Sequence, residues 1–371
     1  ISRIEKMADI KLTNICKKFG DFVAVRDSSF TIKDGEFFVM LGPSGCGKTT
    51  TLRMIAGLEL PTSGEIRLDE EEVTFNPASA RDIAFVFQLF ALYPHMNVRK
   101  NIAFPLVSQR LGRREIKERV EEVARLLRID HLLNARTSGL SSGDRQRVAL
   151  GRAIVRRPKA FLMDEPLGAL DAEFRELMCE ELRLLHNRID ATTVYVTHDQ
   201  IEAMAMADRI AVMNHAEVLQ IGPPAEIYSR PASVFVANFI GSPAMNFLPA
   251  SGHKGIGTDE LHVNGARIPV PPLQEEPQSQ NVILGVRPEH ISIGESGPLR
   301  GRVFGVEYMG TRQLVTVDTD AGRLKIRAAN RIRLADGDTI GLSFSTAKLV
   351  LFDGQTQRAL SCVNREEAIH G

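Results

Sequence analysis

The run Gly42-Pro43-Ser44-Gly45-Cys46-Gly47-Lys48-Thr49-Thr50 constrains this chain more than any other stretch, because it follows the spacing G-x-x-x-x-G-K-[ST] throughout. Phe37-Phe38-Val39-Met40-Leu41 just before it has the apolar continuity of a short buried strand. The stretch from Lys48 to Ala56 has helical spacing, and Gly57 stands where a C-cap glycine belongs. A glycine-rich turn between strand and helix turns backbone N–H groups inward and adds the positive end of a helix dipole, which suits the phosphates of a nucleoside triphosphate. Lys48 is placed to reach the β- and γ-oxygens, and the Thr49 hydroxyl is suited to Mg²⁺.

At 371 residues, 43% apolar and 25% charged, the chain has ordinary globular composition and room for two or three domains. Lys plus Arg equals Asp plus Glu at 46 each, so no global field favours nucleic acid or an anionic bilayer as partner. Cys16, Cys46, Cys179 and Cys362 lie far apart without a C-x-x-C pair, which argues against a disulfide framework or zinc site and fits a reducing compartment. Uninterrupted apolar runs are too short for a spanning helix; Ile83 to Tyr93 already carries Gln88. The segment 1–8 is expected to be a start or upstream extension, with Met7 as the biological start.

From residue 9 to 240, apolar runs such as Ile83 to Phe87, Ala160 to Met163 and Thr193 to Val196 alternate with helical stretches, the pattern of a parallel α/β sheet covered on both faces. Arg113 to Leu133 carries Ile116, Val120, Val123, Leu126 and Leu127 at helical spacing, which predicts one amphipathic helix. After Gly241-Ser242-Pro243 the style shifts to short alternating strands broken by Gly, Pro and Asp. Residues 241–371 are therefore expected to form a small all-β domain, with strands at Val282 to Arg287, Gln313 to Asp318, Ile340 to Phe344 and Lys348 to Phe352.

Phe161-Leu162-Met163-Asp164-Glu165 ends an apolar strand in two carboxylates, a Walker B pattern at the strand end where ligand crevices form. Asp164 is suited to the Mg²⁺ hydration shell and Glu165 to the water that attacks the γ-phosphate. Leu140-Ser141-Ser142-Gly143-Asp144-Arg145-Gln146-Arg147 then opens a helix and resembles the signature segment of the ABC-type ATPases.

That resemblance runs nearly end to end, and it implies a P-loop α/β ATPase domain with a helical subdomain at about 89–158, followed by an OB-like regulatory domain. It implies ATP and Mg²⁺ as cofactors and a head-to-tail homodimer, in which Ser141 and Gly143 contact ATP held by the other subunit. Phe19 resembles the adenine-stacking aromatic, and Gln88 the loop glutamine that senses Mg²⁺ and γ-phosphate. Asp171 resembles the carboxylate of the loop that crosses the dimer interface, and His198 the switch histidine. Taken alone, Phe19 could equally be a core residue, and Gln88, a strand-end histidine or a Ser-Ser-Gly cap could be structural.

Gln88 to Met96, Phe239 to Leu248 and Gly285 to His290 are similar to segments of the maltose-type carbohydrate branch. In that branch the expected function is the energy-coupling ATPase of a bacterial sugar importer. It would work peripherally on the cytoplasmic membrane face with two integral-membrane permease subunits and an extracytoplasmic solute-binding protein, and its C-terminal domain could receive a regulatory protein. Polyamine, ferric iron and sulfate importers share the architecture and stay open, as does a weakly hydrolytic nucleotide-gated module. A DNA-repair or translation protein is disfavoured by the lack of a second ATPase unit or basic face. The signature departs from the usual LSGGQ at Ser142 and Asp144. Serine is expected to cost energy if its backbone needs positive φ, and the aspartate places negative charge near a triphosphate.

Overall fold

A computed structural model describes residues 8–87, 91–168, 170, 172–189, 191–252, 255–279 and 281–363. Residues 1–7 of the expected upstream extension, Met7 included, and Gln88 and Asp171 lie outside the described residues, while Ala8 is described and buried. Two compact units divide between Pro224 and Ala225.

The first unit opens with an antiparallel hairpin, β1 (Ile10–Phe19) and β2 (Phe22–Ile32), then the wholly buried β3 (Phe37–Leu41) and α1 (Lys48–Ala56). There follow β4 (Ser63–Leu68), the two-residue β5 (Glu71–Glu72), β6 (Ile83–Val86), α2 (Val98–Ser108), α3 (Arg113–Leu126), α4 (Ser142–Ile154) and β7 (Ala160–Asp164). The unit finishes with α5 (Ala172–Ile189), β8 (Thr192–Thr197), α6 (Gln200–Met206), β9 (Arg209–Asn214) and β10 (Glu217–Gly222).

Alternation explains the first sheet, ordered β2-β1-β4-β5: Ile10 and Leu12 are buried while Lys11 is exposed, so one face packs and the other meets solvent. Continuity explains the second, ordered β10-β9-β3-β8-β7-β6, where β9 through β6 run parallel and β7 and β8 are buried at every position. The core joins Ile10, Leu12 and Ile66 of the first sheet, Phe38, Met40, Leu162 and Val194 of the second, and Leu52, Met54 and Ile55 of α1. The helix that begins at Lys48 is thus held by apolar contacts rather than by its own propensity.

The expected single helix over Arg113 to Leu133 is corrected. It ends at Leu126, Arg128 takes φ 57, and a 3-10 turn follows at Asp130–Leu132. A left-handed residue breaks the i to i−4 ladder, and Ile129, fully buried, is carried inward by the turn instead of by a further helical turn.

In the second unit the helices α7 (Pro224–Ser229) and α8 (Val234–Phe239) precede an all-antiparallel set. Its strands are β11 (Asn246–Ala250), β12 (Glu260–Val263), β13 (Ala266–Pro269), β14 (Val282–Val286), β15 (Ile291–Gly294), β16 (Leu299–Met309), β17 (Arg312–Thr319), β18 (Gly322–Ala329), β19 (Thr339–Phe344) and β20 (Val350–Asp353). They pair as β11-β14-β20, β12-β13 and β15-β19-β16-β17-β18 around a core that includes Leu248, Leu284, Val315, Leu324, Leu342 and Leu351. Lys348, expected in the last strand, instead closes a 3-10 turn.

The division falls earlier than the composition shift at 241, and one side chain accounts for it. Arg287, almost fully buried, donates to the carbonyls of Tyr228 (2.9 Å), Ala237 (3.0 Å) and Ile240, while its guanidinium stacks 4.2 Å from the Tyr228 ring. The segment 225–240 is thereby bound to the strands that follow it.

Candidate nucleotide site

Leu41 pairs with Thr197 of β8 and Val212 of β9, so the loop after β3 leaves the middle of the parallel sheet at its carboxyl edge. Glycine is required there for two different reasons. A Cβ on Gly42 would stand 2.2 Å from the Met213 carbonyl oxygen, a steric exclusion. Gly47 takes φ 103 at the N-cap of α1, a region that side chains rarely adopt. Between them Ser44 and Gly45 are exposed at the tip, with Pro43 half-buried and Thr50 half-buried on the first turn of α1.

Lys48 is buried, and its ammonium donates to the carbonyls of Gly42 (2.8 Å) and Pro43 (2.9 Å). The loop's own carbonyls therefore hold a charge that an anion in the loop would attract. Cys46 is buried, and burial pushes its thiol up, which leaves it an inert small residue and not a reactive one.

Asp164 ends β7 opposite Val196 of β8, and its Oδ1 accepts a 2.8 Å hydrogen bond from Thr49 Oγ1 across the loop mouth. Burial raises the Asp164 carboxyl above its ordinary range, and the Thr49 hydroxyl and the charge of Arg53 offset this in part. A cation here would relieve the same penalty. Two hard oxygen donors fit Mg²⁺, which keeps water and substrate oxygens as its other ligands. Among the described residues no group of three or more His, Cys, Asp and Glu side chains could hold a metal, so the phosphates would have to complete the set.

Glu165 takes φ 44, a left-handed conformation costly for a side chain of this size. Its N–H donates to the Val196 carbonyl (3.0 Å), and its Oε1 lies 3.3 Å from Nδ1 of the half-exposed His198. The structure thus gathers Lys48, Thr49, Asp164, Glu165 and His198, expected separately from sequence, around the ends of three adjacent strands.

Phe19 is 49% exposed on the first hairpin, with Lys17 Nζ 4.7 Å from its ring centroid, so the core alternative does not hold. Ser141 caps α4. Its hydroxyl accepts from the Asp144 N–H (3.1 Å) and donates to the Asp144 carboxylate (2.7 Å), and neither Ser141 nor Gly143 hydrogen-bonds the loop 42–50 among the described residues. A Cβ on Gly143 would meet the Phe174 ring at 2.2 Å. Ser142 is the first residue of α4 with ordinary helical backbone, so the strain expected of a serine there is absent.

Sequence reasoning missed Arg81 and Arg175. Arg81 is buried against the C-terminus of α1, and Arg175 bonds both the Leu170 carbonyl and Asp199 beside His198. An arginine among many on a charged chain carries no pattern that marks it as buried.

A phosphate loop after a central parallel strand, with a histidine after the strand beside it and an Asp-Glu pair at the end of the next, defines an α/β nucleoside triphosphatase. More narrowly, the chain belongs to the ABC transporter ATP-binding family. The ABC transporter family matches residues 25–168, the MalK OB fold domain 241–291 and the TOBE domain 284–352. A trehalose/maltose import ATP-binding protein MalK of Thermococcus litoralis is 46% identical over 95% of this chain and 100% of its own length. The trehalose import ATP-binding protein SugC of Mycobacterium tuberculosis is 43% identical over 97% and 100%. An sn-glycerol-3-phosphate import ATP-binding protein UgpC of Escherichia coli is 45% identical over 94% and 99%.

Among solved structures, cbiO1 of Clostridium perfringens, part of a cbiONQ transporter complex, aligns at TM-score 0.56 with 27% identity over 60% of this chain and 91% of that one. A dimeric post-hydrolysis ATP-binding cassette bound to ADP and phosphate aligns at TM-score 0.51 with 33% identity over 58% and 98%.

Proposed function

We propose that this chain is the ATP-hydrolysing, energy-coupling subunit of an importer for a sugar or sugar derivative. In this reading it is a homodimer bound peripherally to two permease subunits on the cytoplasmic membrane face and fed by an extracytoplasmic solute-binding protein. No helix among the described residues is long and apolar enough to cross a membrane, so the permeases would provide the path. The relatives named for trehalose, maltose and sn-glycerol-3-phosphate support this solute class. The observation that carries the ATPase reading is the Thr49–Asp164 hydrogen bond with the Glu165–His198 pair beside it.

Phosphoryl transfer needs positioning and charge neutralisation more than covalent help. Lys48 and the loop N–H groups hold the β- and γ-phosphates; Thr49 and Asp164, with Gln88, hold Mg²⁺, which when bound screens the phosphate charge. Glu165 orients the attacking water and takes its proton, His198 fixes the Glu165 carboxylate, and Phe19 stacks on the base. Ser141 and Gly143 present their helix tip to the partner's γ-phosphate, with Asp171 at the crossing of the pair. ATP closes the dimer, hydrolysis reopens it, and the permeases follow. The C-terminal unit holds the pair between cycles and is where a regulatory protein would dock.

Uptake of radiolabelled sugars and polyol phosphates by a strain lacking this gene tests the proposal. Loss of one sugar's uptake, restored by the wild-type chain and not by Lys48→Ala, is expected; undiminished uptake across the panel with these permeases as sole route would overturn it.

The signature departure gives a narrower prediction. In the proposed dimer Asp144 would bring a carboxylate toward the partner's γ-phosphate, offset in part by Arg147 at 3.5 Å, and one like charge at about 4 Å in a water-like dielectric costs at most about 1 kcal/mol, or about fivefold. Asp144→Gln should therefore raise phosphate release from the assembled transporter by about that factor, while Ser142→Gly, which relieves no strain, should change it little. Equal turnover in Asp144→Gln and wild type would show that the carboxylate is harmless.

A further inference from the structure

We infer that Arg175 is a positioning residue that ties the turn after Glu165 to the turn that carries His198, so that movement of the first is felt by the second. The inference rests on the roles just proposed for Glu165, His198 and the dimer. It adds a link between the partner-facing loop and the reacting groups.

Arg175 lies near the start of α5. Its guanidinium donates in two directions, from Nη2 to the Leu170 carbonyl (2.9 Å) and from Nη1 to Asp199 Oδ2 (3.1 Å). Leu170 directly precedes Asp171, and Asp199 directly follows His198. The Asp199 end has further bonds of its own: Oδ1 accepts from the Ile201 N–H (2.7 Å) as the cap of α6, and the Asp199 N–H donates to Thr197 Oγ1 (3.0 Å), while Arg175 Nε also lies 3.6 Å from the Glu202 carboxylate beneath them. Thr197 is held in turn, its hydroxyl donating 2.7 Å to Glu202, which also accepts from Tyr195 (2.8 Å).

Glu202 is buried, and burial raises its carboxyl above the ordinary range even with these donors and Arg175 nearby. Thr197, Asp199 and Glu202 therefore form a stiff anchor beneath the histidine. At the other end of the turn, Leu170 N–H bonds the Leu167 carbonyl, Gly168 N–H bonds the Glu165 carbonyl, and Glu165 meets His198 at 3.3 Å. The contacts close a ring: Glu165, the turn to Leu170, Arg175, Asp199, His198 and back to Glu165.

A ring of this kind has two ends that chemistry needs to coordinate. The turn at Leu170 leads into the residue expected at the dimer crossing, and the His198 end holds the carboxylate expected to act on water. The planar fork of an arginine can serve a carbonyl and a carboxylate lying in different directions, whereas a lysine offers one point charge.

The test compares Arg175→Met, Arg175→Lys, Asp199→Asn, Arg175→Met/Asp199→Asn and, as a control on the same helix, Arg183→Met. Arg183 bonds Asp208 (2.7 Å) and the Met206 carbonyl (2.9 Å), outside the ring. Asparagine at 199 can keep the cap of α6 with its one acceptor oxygen, and its NH2 then faces the guanidinium, so the Arg175 hydrogen bond is lost together with the charge. In the assembled transporter Arg175→Met and Asp199→Asn are expected to lower kcat about tenfold with KM for ATP within about twofold, the signature of a lost interaction in the reacting state. Arg175→Lys should recover part of the loss, the double variant should be no worse than Arg175→Met, and Arg183→Met should keep the wild-type kcat at an equal or larger drop in Tm.

An unchanged kcat in Asp199→Asn, or equal losses in Arg183→Met and Arg175→Met, would overturn the inference. His198→Ala, measured alongside, separates the layers: wild-type turnover in that variant removes the underlying reading, whereas its loss with Arg175→Met unaffected removes only the link. Should Arg175→Met fail to fold, Asp199→Asn and Arg175→Lys decide the matter.

Discussion

Glu165→Gln is expected to bind ATP as wild type does, lose about 10²- to 10⁴-fold in phosphate release from the assembled transporter, and accumulate as an ATP-bound pair. The substitution preserves shape, and its amide can still meet His198 Nδ1, 3.3 Å from the present carboxylate oxygen. The backbone is unaffected, because the left-handed Glu165 is held by its N–H on Val196 rather than by its side chain. What disappears is the capacity to accept a proton from water at the moment of attack. Size-exclusion or scattering with ATP and Mg²⁺, alongside a phosphate-release assay, reads both halves. Turnover above a tenth of wild type would remove Glu165 from its proposed role, and failure to form a nucleotide-dependent pair would remove the dimer.

The parts of the site legible in the sequence are those whose chemistry forces a local pattern. The phosphate loop requires glycine at Gly42 and Gly47 for reasons of space and backbone angle, and Asp164 and Glu165 stand out because an apolar strand ends on them. His198 becomes legible in the same way, two residues after Val196 at the end of a buried strand. The alternation and continuity of apolar residues likewise fix which strands are half-buried and which are covered on both faces. The same patterns do not reveal where a helix stops when a buried residue can be carried inward by a turn, as at Ile129. They also do not show that a serine at Ser142 is already helical, so that its lack of strain comes from position and not from residue type.

Buried arginines were the least legible feature. Arg287 and Arg81 are each almost fully buried and satisfied by backbone carbonyls, and burial lowers both below the ordinary guanidinium range. Neither has the alternating neighbours or acidic partner at helical spacing that would mark it in one dimension. Their partners lie on segments brought close only by the fold.

Arg81 shows how much such a residue holds. Its guanidinium donates to the carbonyls of Met54 (2.7 Å), Ile55 (2.9 Å), Thr74 (3.0 Å) and Asn76 (2.9 Å), which join the end of α1 to the segment before β6. Two of these are carbonyls in the last turn of the helix whose N-terminus carries the phosphate loop, the Met54 carbonyl shared with the Gly57 N–H (3.1 Å), and a cation there also opposes the negative end of the dipole. Arg81→Met keeps much of the volume and leaves the Ile55, Thr74 and Asn76 carbonyls without their donor, while Met54 keeps the Gly57 N–H. Each buried unsatisfied group costs about 1–3 kcal/mol, and recovery of the arginine's own desolvation and some water entry reduce the sum to about 3 kcal/mol. For a unit of this size that is a fall in Tm on the order of 10 °C, with weaker ATP stabilisation because the loop rides on a loosened helix.

Gly57 supplies the cross-check. At φ 71 its added Cβ would stand 2.6 Å from Arg81 Nε, so Gly57→Ala in the wild-type chain suffers both backbone strain and displacement of the guanidinium. In an Arg81→Met background the guanidinium clash is gone and only the backbone strain and a 3.0 Å approach to the Ala78 N remain, so the same substitution should cost less. Thermal unfolding of the two single variants and the double, each with and without ATP and Mg²⁺, measures the coupling. An Arg81→Met chain that melts with wild type, or strictly additive losses, would show that the carbonyls find other donors and that α1 does not depend on this side chain.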